Sequence, residues 1–249
     1  MATVLLVRHG LTPLTGSVLA GHTPGIHLDE RGLRQATALA ERLRPVPLAA
    51  VVTSPLERCI ETAAALVAGR NGAVPTVDPR LVEVRYGDWT GRPLRELTRD
   101  PLWKVVQQHP SAAVFPGQDG EGLAETQARA VAGVREWDAR VATASGPDAV
   151  WVACSHGDVI KAVLADALGL HLDLFQRILV DPCSVSVVRY TDTRPFVLRI
   201  NDTGGDVAAL LPPKKGRRRR AEPSSDAPVG GGVGVSGKGP GGGGSGSSG

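Results

Sequence analysis

Arg8-His9-Gly10 follows directly on the apolar run Val4-Leu5-Leu6-Val7. The run reads as a buried strand, so a guanidinium and an imidazole stand at its carboxyl end, the edge at which open α/β sheets bind ligands. Comparable signals recur in Arg58 at a helix start, Glu83 after an extended segment, and Ser155-His156-Gly157 after the apolar Ala149–Ala153. Two histidines, two arginines and a glutamate suit phosphoryl transfer through a phosphohistidine. The transferred group spreads its charge over three oxygens, so catalysis is mainly positioning and electrostatic stabilisation. Arg8 and Arg58 can offer forked donors to those oxygens. His9 can attack phosphorus as a neutral imidazole, and flanking guanidinium charge keeps it neutral by lowering its pKa. His156 would donate to the phosphoryl oxygens. Glu83 would protonate the leaving alkoxide and then deprotonate the attacking water. No metal-ligand spacing is present, and the scheme needs neither metal nor cofactor.

Each signal alone has an ordinary reading: a solvated Arg58, an exposed Glu83, a hydrogen-bonded His156 in a tight turn. Their shared placement at strand ends is what gives them weight.

The elements that must hold these groups alternate between strand and helix patterns. Val4–Val7 is followed by a loop over residues 10–29 and a predicted helix over Asp29–Leu43, where Leu33, Ala36, Leu39, Ala40 and Leu43 recur at helical spacing. Leu48–Val52 is the next predicted strand. Ser54-Pro55-Leu56-Glu57 combines an N-cap serine, proline at the first helical position and glutamate two residues on, which predicts a helix to about residue 68. Residues 74–84 read as extended, and 93–110 and 121–143 as helical. Ala149–Ala153 reads as a strand followed by a helix to Leu168. Val185–Tyr190 and Phe196–Ile200 suggest a hairpin. The pattern predicts an α/β fold of three layers, α/β/α, with a mostly parallel sheet and helices on both faces.

These residues resemble the histidine phosphatase superfamily, in the branch that includes cofactor-dependent phosphoglycerate mutases. Arg8-His9-Gly10 matches that family's Arg-His-Gly, and Ser54 to Ala63 its Ser-Pro-x-x-Arg-x-x-x-Thr-Ala stretch. Glu83 with Tyr86-Gly87 matches its acid/base segment, and Ser155-His156-Gly157 its second histidine. The resemblance spans roughly residues 3–200. It implies a phosphoglycerate mutase-like fold, His9 as the phosphorylated residue, Arg8, Arg58 and His156 as the phosphate pocket, and Glu83 as proton donor. Thr15, where mutases usually carry an asparagine that helps hold phosphate, and His22 are further candidate substrate contacts. Departures point to the subtype. Leu11 replaces a common glutamate, and Gly120-Glu121-Gly122 replaces Gly-Glu-Ser. The acid segment continues into Asp88-Trp89-Thr90-Gly91, more typical of the family's phosphatases. The stretch from Glu83 to Glu121 is short for a mutase. The expected activity is a metal-independent phosphomonoesterase for small phosphorylated metabolites, with a phosphoglycerate mutase-type phosphomutase as the alternative.

The net charge of +3 is unevenly placed. After Pro213 the chain carries seven basic and two acidic residues, so of 28 and 25 in all, 21 and 23 belong to the body. Residues 1–211 are expected to form the domain. From residue 212 a basic block and a Gly/Ser run cannot bury enough apolar surface of their own, so a disordered tail is expected. Arg217–Arg220 could touch nucleic acid or an acidic surface, but a solvated tail is the plainer reading, and no nucleic-acid partner is expected. Cys59, Cys154 and Cys183 form neither a disulfide framework nor a zinc pattern, which favours a reducing interior. No run reaches the length of a membrane span, and the first residues lack a basic leader region, so no membrane partner and a cytoplasmic location are expected. The sequence leaves the oligomeric state open; a homodimer is compatible with it.

Overall fold

A computed structural model describes residues 1–70, 72–205, 226–227 and 229–232. Six strands form one sheet in the order β3-β2-β4-β1-β5-β6, built from β1 (Thr3–Arg8), β2 (Leu48–Thr53), β3 (Thr76–Val77), β4 (Val150–Ser155), β5 (Val185–Arg189) and β6 (Phe196–Asp202). The strands β3, β2, β4 and β1 run parallel, and β5 and β6 complete the sheet antiparallel.

Side chains alternate across a strand, and the two apolar clusters follow that period. Val4 and Leu6 of β1, with Trp151 and Ala153 of β4, face one cluster, which includes Val134, Val141, Ile160 and Leu164. Leu5, Val7, Val152 and Cys154 face the other, with Ala36, Leu39, Leu43, Ala63 and Leu66. The first cluster is roofed by α5 (Leu123–Ser145) and α6 (Gly157–Leu168), the second by α1 (Glu30–Leu43) and α2 (Glu57–Val67). The expected three-layer α/β/α arrangement is therefore present. Strands buried on both faces explain the nearly continuous apolar runs around β1 and β4.

Register positions the site. Arg8 pairs with Ser155 and Thr53 with Cys154, so β1, β4 and β2 end side by side. The chain then emerges as His9, His156 and Ser54 from three neighbouring strands. Gly10 is required by close approach: a Cβ there would meet the Gly32 carbonyl oxygen at 2.8 Å. The turn after β1 thus lies directly on the start of α1, where the Asp29 side chain caps the Gly32 N–H.

Some local expectations differ from the structure. Only Thr76–Val77 of the extended stretch 74–84 pairs as strand; Pro79–Leu81 closes into a 3₁₀ turn capped by Asp78. The helical stretch 93–110 is two helices, α3 (Leu94–Leu97) and α4 (Pro101–Gln108), because Asp100 caps the Leu102 N–H and Pro101 starts a new helix. Trp89 packs at the base of this region with Trp103 and Phe115. All three cysteines are free and buried. No helix among the described residues is long and apolar enough to cross a membrane.

The tail expected from residue 212 falls largely outside the described residues. Asp226, Ala227 and Val229 to Gly232 are described, and they lie against the body, with Val229 in the first apolar cluster. The compositional argument weighs what a segment can bury by itself. It is silent on a short segment that docks into a groove already built by the domain.

Candidate active site

A cavity at the carboxyl ends of β1, β2 and β4 is lined by Arg8, His9, Thr15, Arg58, Glu83 and Tyr86, among others. Arg8, His9, Arg58 and Glu83 are nearly inaccessible, at 1%, 5%, 2% and 3% exposure. Two charged arginines at such depth need anionic or dipolar partners.

The His9 ring places one nitrogen 2.7 Å from the Gly10 carbonyl oxygen. A carbonyl only accepts, so Nδ1 carries the proton and the lone pair of the neutral ring is on Nε2. Burial, then Arg58, then Arg8 hold the His9 pKa well below 6.5, so the ring is neutral at pH 7. A neutral imidazole with its lone pair on Nε2, sharing the cavity with two guanidinium groups, is competent to attack an electrophile.

Arg58 is delivered by the first turn of α2. Its Nη2 donates to the Gly21 carbonyl at 2.8 Å and approaches His156 Nδ1 at 3.3 Å. Arg8 donates through Nη1 to the Val180 carbonyl at 2.8 Å. Arg8 Nε and Arg58 Nη1 are buried without a hydrogen-bond partner among the described residues. Unsatisfied buried guanidinium N–H groups on two arginines that share the cavity lining with one imidazole are what an oxyanion would satisfy. Thr62 ties the two segments together, accepting from the Gly10 N–H at 3.1 Å and donating to the Arg58 carbonyl at 2.7 Å.

His156 is fully buried and stands behind the cavity wall, its ring centroid 5.2 Å from that of His9. Its Nε2 is 2.7 Å from Ser54 Oγ. With Arg58 donating to Nδ1, Nε2–H donates to Ser54. The other tautomer, with a proton on Nδ1, would set that N–H against the Arg58 donor and is disfavoured. Burial, then Arg58, then His9 keep the His156 pKa well below 6.5. Ser54 Oγ thus serves the site first and accepts only a long bond, 3.4 Å, from the Leu56 N–H at the helix entrance: α2 begins at Glu57, later than the Ser-Pro-Leu-Glu pattern predicts, and Leu56 at its N-cap makes no side-chain cap bond. Ser54→Ala should leave the buried His156 Nε2 with only the weak Cys59 Sγ contact at 3.4 Å. The expected loss of stability is about 1–3 kcal/mol, checked by urea unfolding.

Glu83 lies with Oε2 4.0 Å from His156 Nδ1, and its Oε1 accepts from the Val84 N–H at 3.0 Å. Burial first and the negative charge of Asp158 second raise its pKa to about 7, against the opposing pull of Arg58. A carboxyl poised there can release and recover a proton near neutrality. Its segment is braced from outside the cavity. His22 Nε2 donates to the Glu83 carbonyl at 2.7 Å. Arg129 donates to the carbonyls of Arg80, Val82 and Glu83 and pairs with Glu121 at 2.6 Å.

The structure therefore brings Arg8, His9, Arg58 and Glu83 to one cavity, with His156 in contact behind them. Thr15 lines the cavity, but its hydroxyl is engaged by Thr12, accepting from the Thr12 N–H at 3.0 Å and lying 2.9 Å from its Oγ1. His22 braces Glu83 and is not part of the wall. Sequence reasoning missed Ser54 as a histidine partner, and it missed Tyr86 and Asp158, joined by a buried bond of 2.9 Å from the phenol to Oδ2. Asp158 follows Ser155-His156-Gly157 directly, so its proximity to the motif was the available signal.

Comparison with known proteins agrees with this geometry. The family model described as histidine phosphatase superfamily (branch 1) matches residues 4–203. A protein of Yersinia pestis named as a probable phosphoglycerate mutase, GpmB, is 30% identical over 214 residues, covering 84% of this chain and 95% of its own. A mycobacterial glucosyl-3-phosphoglycerate phosphatase is 27% identical with a TM-score of 0.70, over 80% of this chain and 98% of its own. The alpha-ribazole phosphatase of Shigella flexneri is 25% identical with a TM-score of 0.67, over 81% and 96%. With the strand-end histidines, their arginine neighbours and a family match across the whole sheet, the chain belongs to branch 1 of the histidine phosphatase superfamily.

Proposed function

We propose that the chain is a phosphomonoesterase acting on small phosphorylated metabolites through a phosphohistidine on His9. The observation that carries the chemistry is the pair of unpartnered guanidinium N–H groups, on Arg8 and Arg58, beside a neutral His9. In the first step His9 Nε2 bonds to phosphorus as the ester P–O bond breaks. The alkoxide leaves with the proton of the Glu83 carboxyl. In the second step the Glu83 carboxylate takes a proton from water, the water oxygen bonds to phosphorus, and the N–P bond breaks to release orthophosphate. Arg8 and Arg58 stabilise the equatorial oxygens throughout.

The cavity lining supports hydrolysis over phosphoryl return. Among the described residues, Arg8 and Arg58 are the only arginine or lysine side chains on the wall, and both are committed to the phosphoryl group. Leu14, Val18, Ala20 and Leu94 make up much of the remainder. A substrate carboxylate or second phosphate would find no cation of its own there, so a monoester with an uncharged leaving group fits best. The phosphatase names of two structural relatives agree with hydrolysis, although the phosphoglycerate ester in one of those names carries a carboxylate, while the name of the Yersinia relative favours the mutase. The physiological ester is set by loops around the mouth.

A screen of phosphomonoesters, run with and without a chelator, tests the proposal. Phosphate release from monoesters with uncharged leaving groups should be unaltered by the chelator. Incubation with 3-phosphoglycerate and its 2,3-bisphosphate should yield free phosphate rather than isomer exchange. Rapid interconversion with little phosphate released would establish the mutase instead.

A further inference from the structure

We propose that residues 226–227 and 229–232 are a working part of this site, a C-terminal strap that orients the Arg8 guanidinium and walls the cavity mouth. The proposal rests on the phosphoryl-binding reading of the cavity, not on which ester is hydrolysed.

The strap is anchored in both of its described stretches. Asp226 Oδ2 accepts from Trp103 Nε1 at 3.0 Å. Gln107 pairs with the Ala227 backbone in both directions, each bond 2.8 Å. Val229 is 1% exposed and packs into the main apolar cluster. The Gly230 N–H donates to Asp158 Oδ2 at 2.9 Å, on the carboxylate that also holds Tyr86. From α4 the segment therefore runs over the start of α6 to the end of β1.

Its last contacts fall on Arg8. Nη1 donates to the Gly232 carbonyl at 2.6 Å as well as to Val180, which uses both of its hydrogens. Nη2 makes one long contact, 3.4 Å, to the Gly230 carbonyl, and Nε has no partner among the described residues. The strap thus takes one corner of the guanidinium and leaves the Nε–Nη2 edge, the fork that binds an oxyanion in bidentate fashion. A charged phosphoryl oxygen is a stronger acceptor for Nη2 than a carbonyl at that distance.

Glycine is demanded at the contact. Gly231 has φ +83°, and a Cβ on it would meet Arg8 Cζ at 2.7 Å. Val229, Gly230 and Gly231 line the cavity beside Arg8 and Glu83. Among the described residues the strap's hydrogen bonds reach Arg8 and Asp158 but not His9, Arg58 or Glu83. It is placed to hold a binding group in position while leaving the nucleophile open.

The test compares the full chain, a chain ending at Ser225, and full-length Gly231→Ala. Orthophosphate affinity is read by calorimetry and turnover with p-nitrophenyl phosphate. Misplacing one guanidinium should cost about 10- to 100-fold in kcat/KM, mostly through KM, with a matching loss of orthophosphate affinity in both variants. A peptide of residues 224–234 should restore the truncated chain, and the same peptide carrying Gly231→Ala should not. Unchanged or tighter orthophosphate binding in Gly231→Ala, or a truncated chain more active than the full one, overturns the proposal; the latter would make the segment an inhibitory plug. If the full chain hydrolyses no ester yet truncation still weakens orthophosphate binding, the strap stands and the phosphatase reading falls.

Discussion

His9→Ala should lower kcat for phosphomonoester hydrolysis by on the order of 10⁴ or more, the scale on which loss of a covalent nucleophile is felt. The rest of the site should survive the change. His9 makes its side-chain hydrogen bond to its own neighbour, Gly10, while Arg8 and Arg58 are held by Val180, Gly21 and the segment 230–232. Orthophosphate should therefore bind the variant within about tenfold of the parent, since the guanidinium donors that dominate anion recognition are untouched. Rapid quenching with labelled substrate reads the covalent step directly. The parent chain should retain label as an acid-labile phosphoramidate on His9, and the variant should retain none. Turnover above a tenth of the parent rate, or label recovered on His156, would remove His9 from the role of nucleophile.

The parts of this site legible in the sequence are those written as local patterns. Val4–Val7 and Ala149–Ala153 are buried on both faces, so they read as apolar runs, and the polar residues after them mark strand ends. Such runs locate Arg8, His9 and His156 without any knowledge of pairing. The register that sets Arg8 beside Ser155 is a long-range property and could not be read. Ser54 shows a different limit. Its pattern is a sound helix start, but the hydroxyl goes to His156, 102 positions away, and the helix begins without it. Asp158 was passed over because an acid in a first helical turn has a sufficient local reason, the helix dipole. Its work here is to raise the Glu83 pKa and anchor Tyr86 and Gly230. The described stretches 226–227 and 229–232 were hardest to read. Glycine-rich composition signals freedom in an isolated chain, whereas at Gly231 the missing side chain is what permits contact with Arg8.

Glu83→Gln should lower kcat for alkyl phosphates by about 10²–10⁴, the range of a lost general acid, and should remove the alkaline limb of the kcat/KM profile. The sign follows from the protonation states required. Glu83 must carry its proton to release an alkoxide, and with a pKa of about 7 the competent fraction falls as pH rises through that value. His9 must be neutral, and its pKa lies well below 6.5, so the acid limb falls only under more acidic conditions. For kcat/KM, which reports the first transfer alone, the profile is thus a plateau on the mildly acidic side of neutrality, whereas breakdown of the phosphoenzyme needs the Glu83 carboxylate and slows as pH falls below its pKa. Asp158→Asn removes the neighbouring negative charge that helps raise Glu83, so it should move the alkaline limb to lower pH. The leaving group separates the two duties of the carboxyl. Nitrophenolate departs without a proton, so Glu83→Gln should still form the phosphoenzyme from p-nitrophenyl phosphate at close to the parent rate. Breakdown of that intermediate still needs a base for water, and the glutamine has none to offer. A burst of one nitrophenolate per chain followed by slow turnover is therefore expected, detected by stopped-flow absorbance. Equal losses for alkyl and nitrophenyl esters, without a burst, would show that Glu83 does not carry the proton.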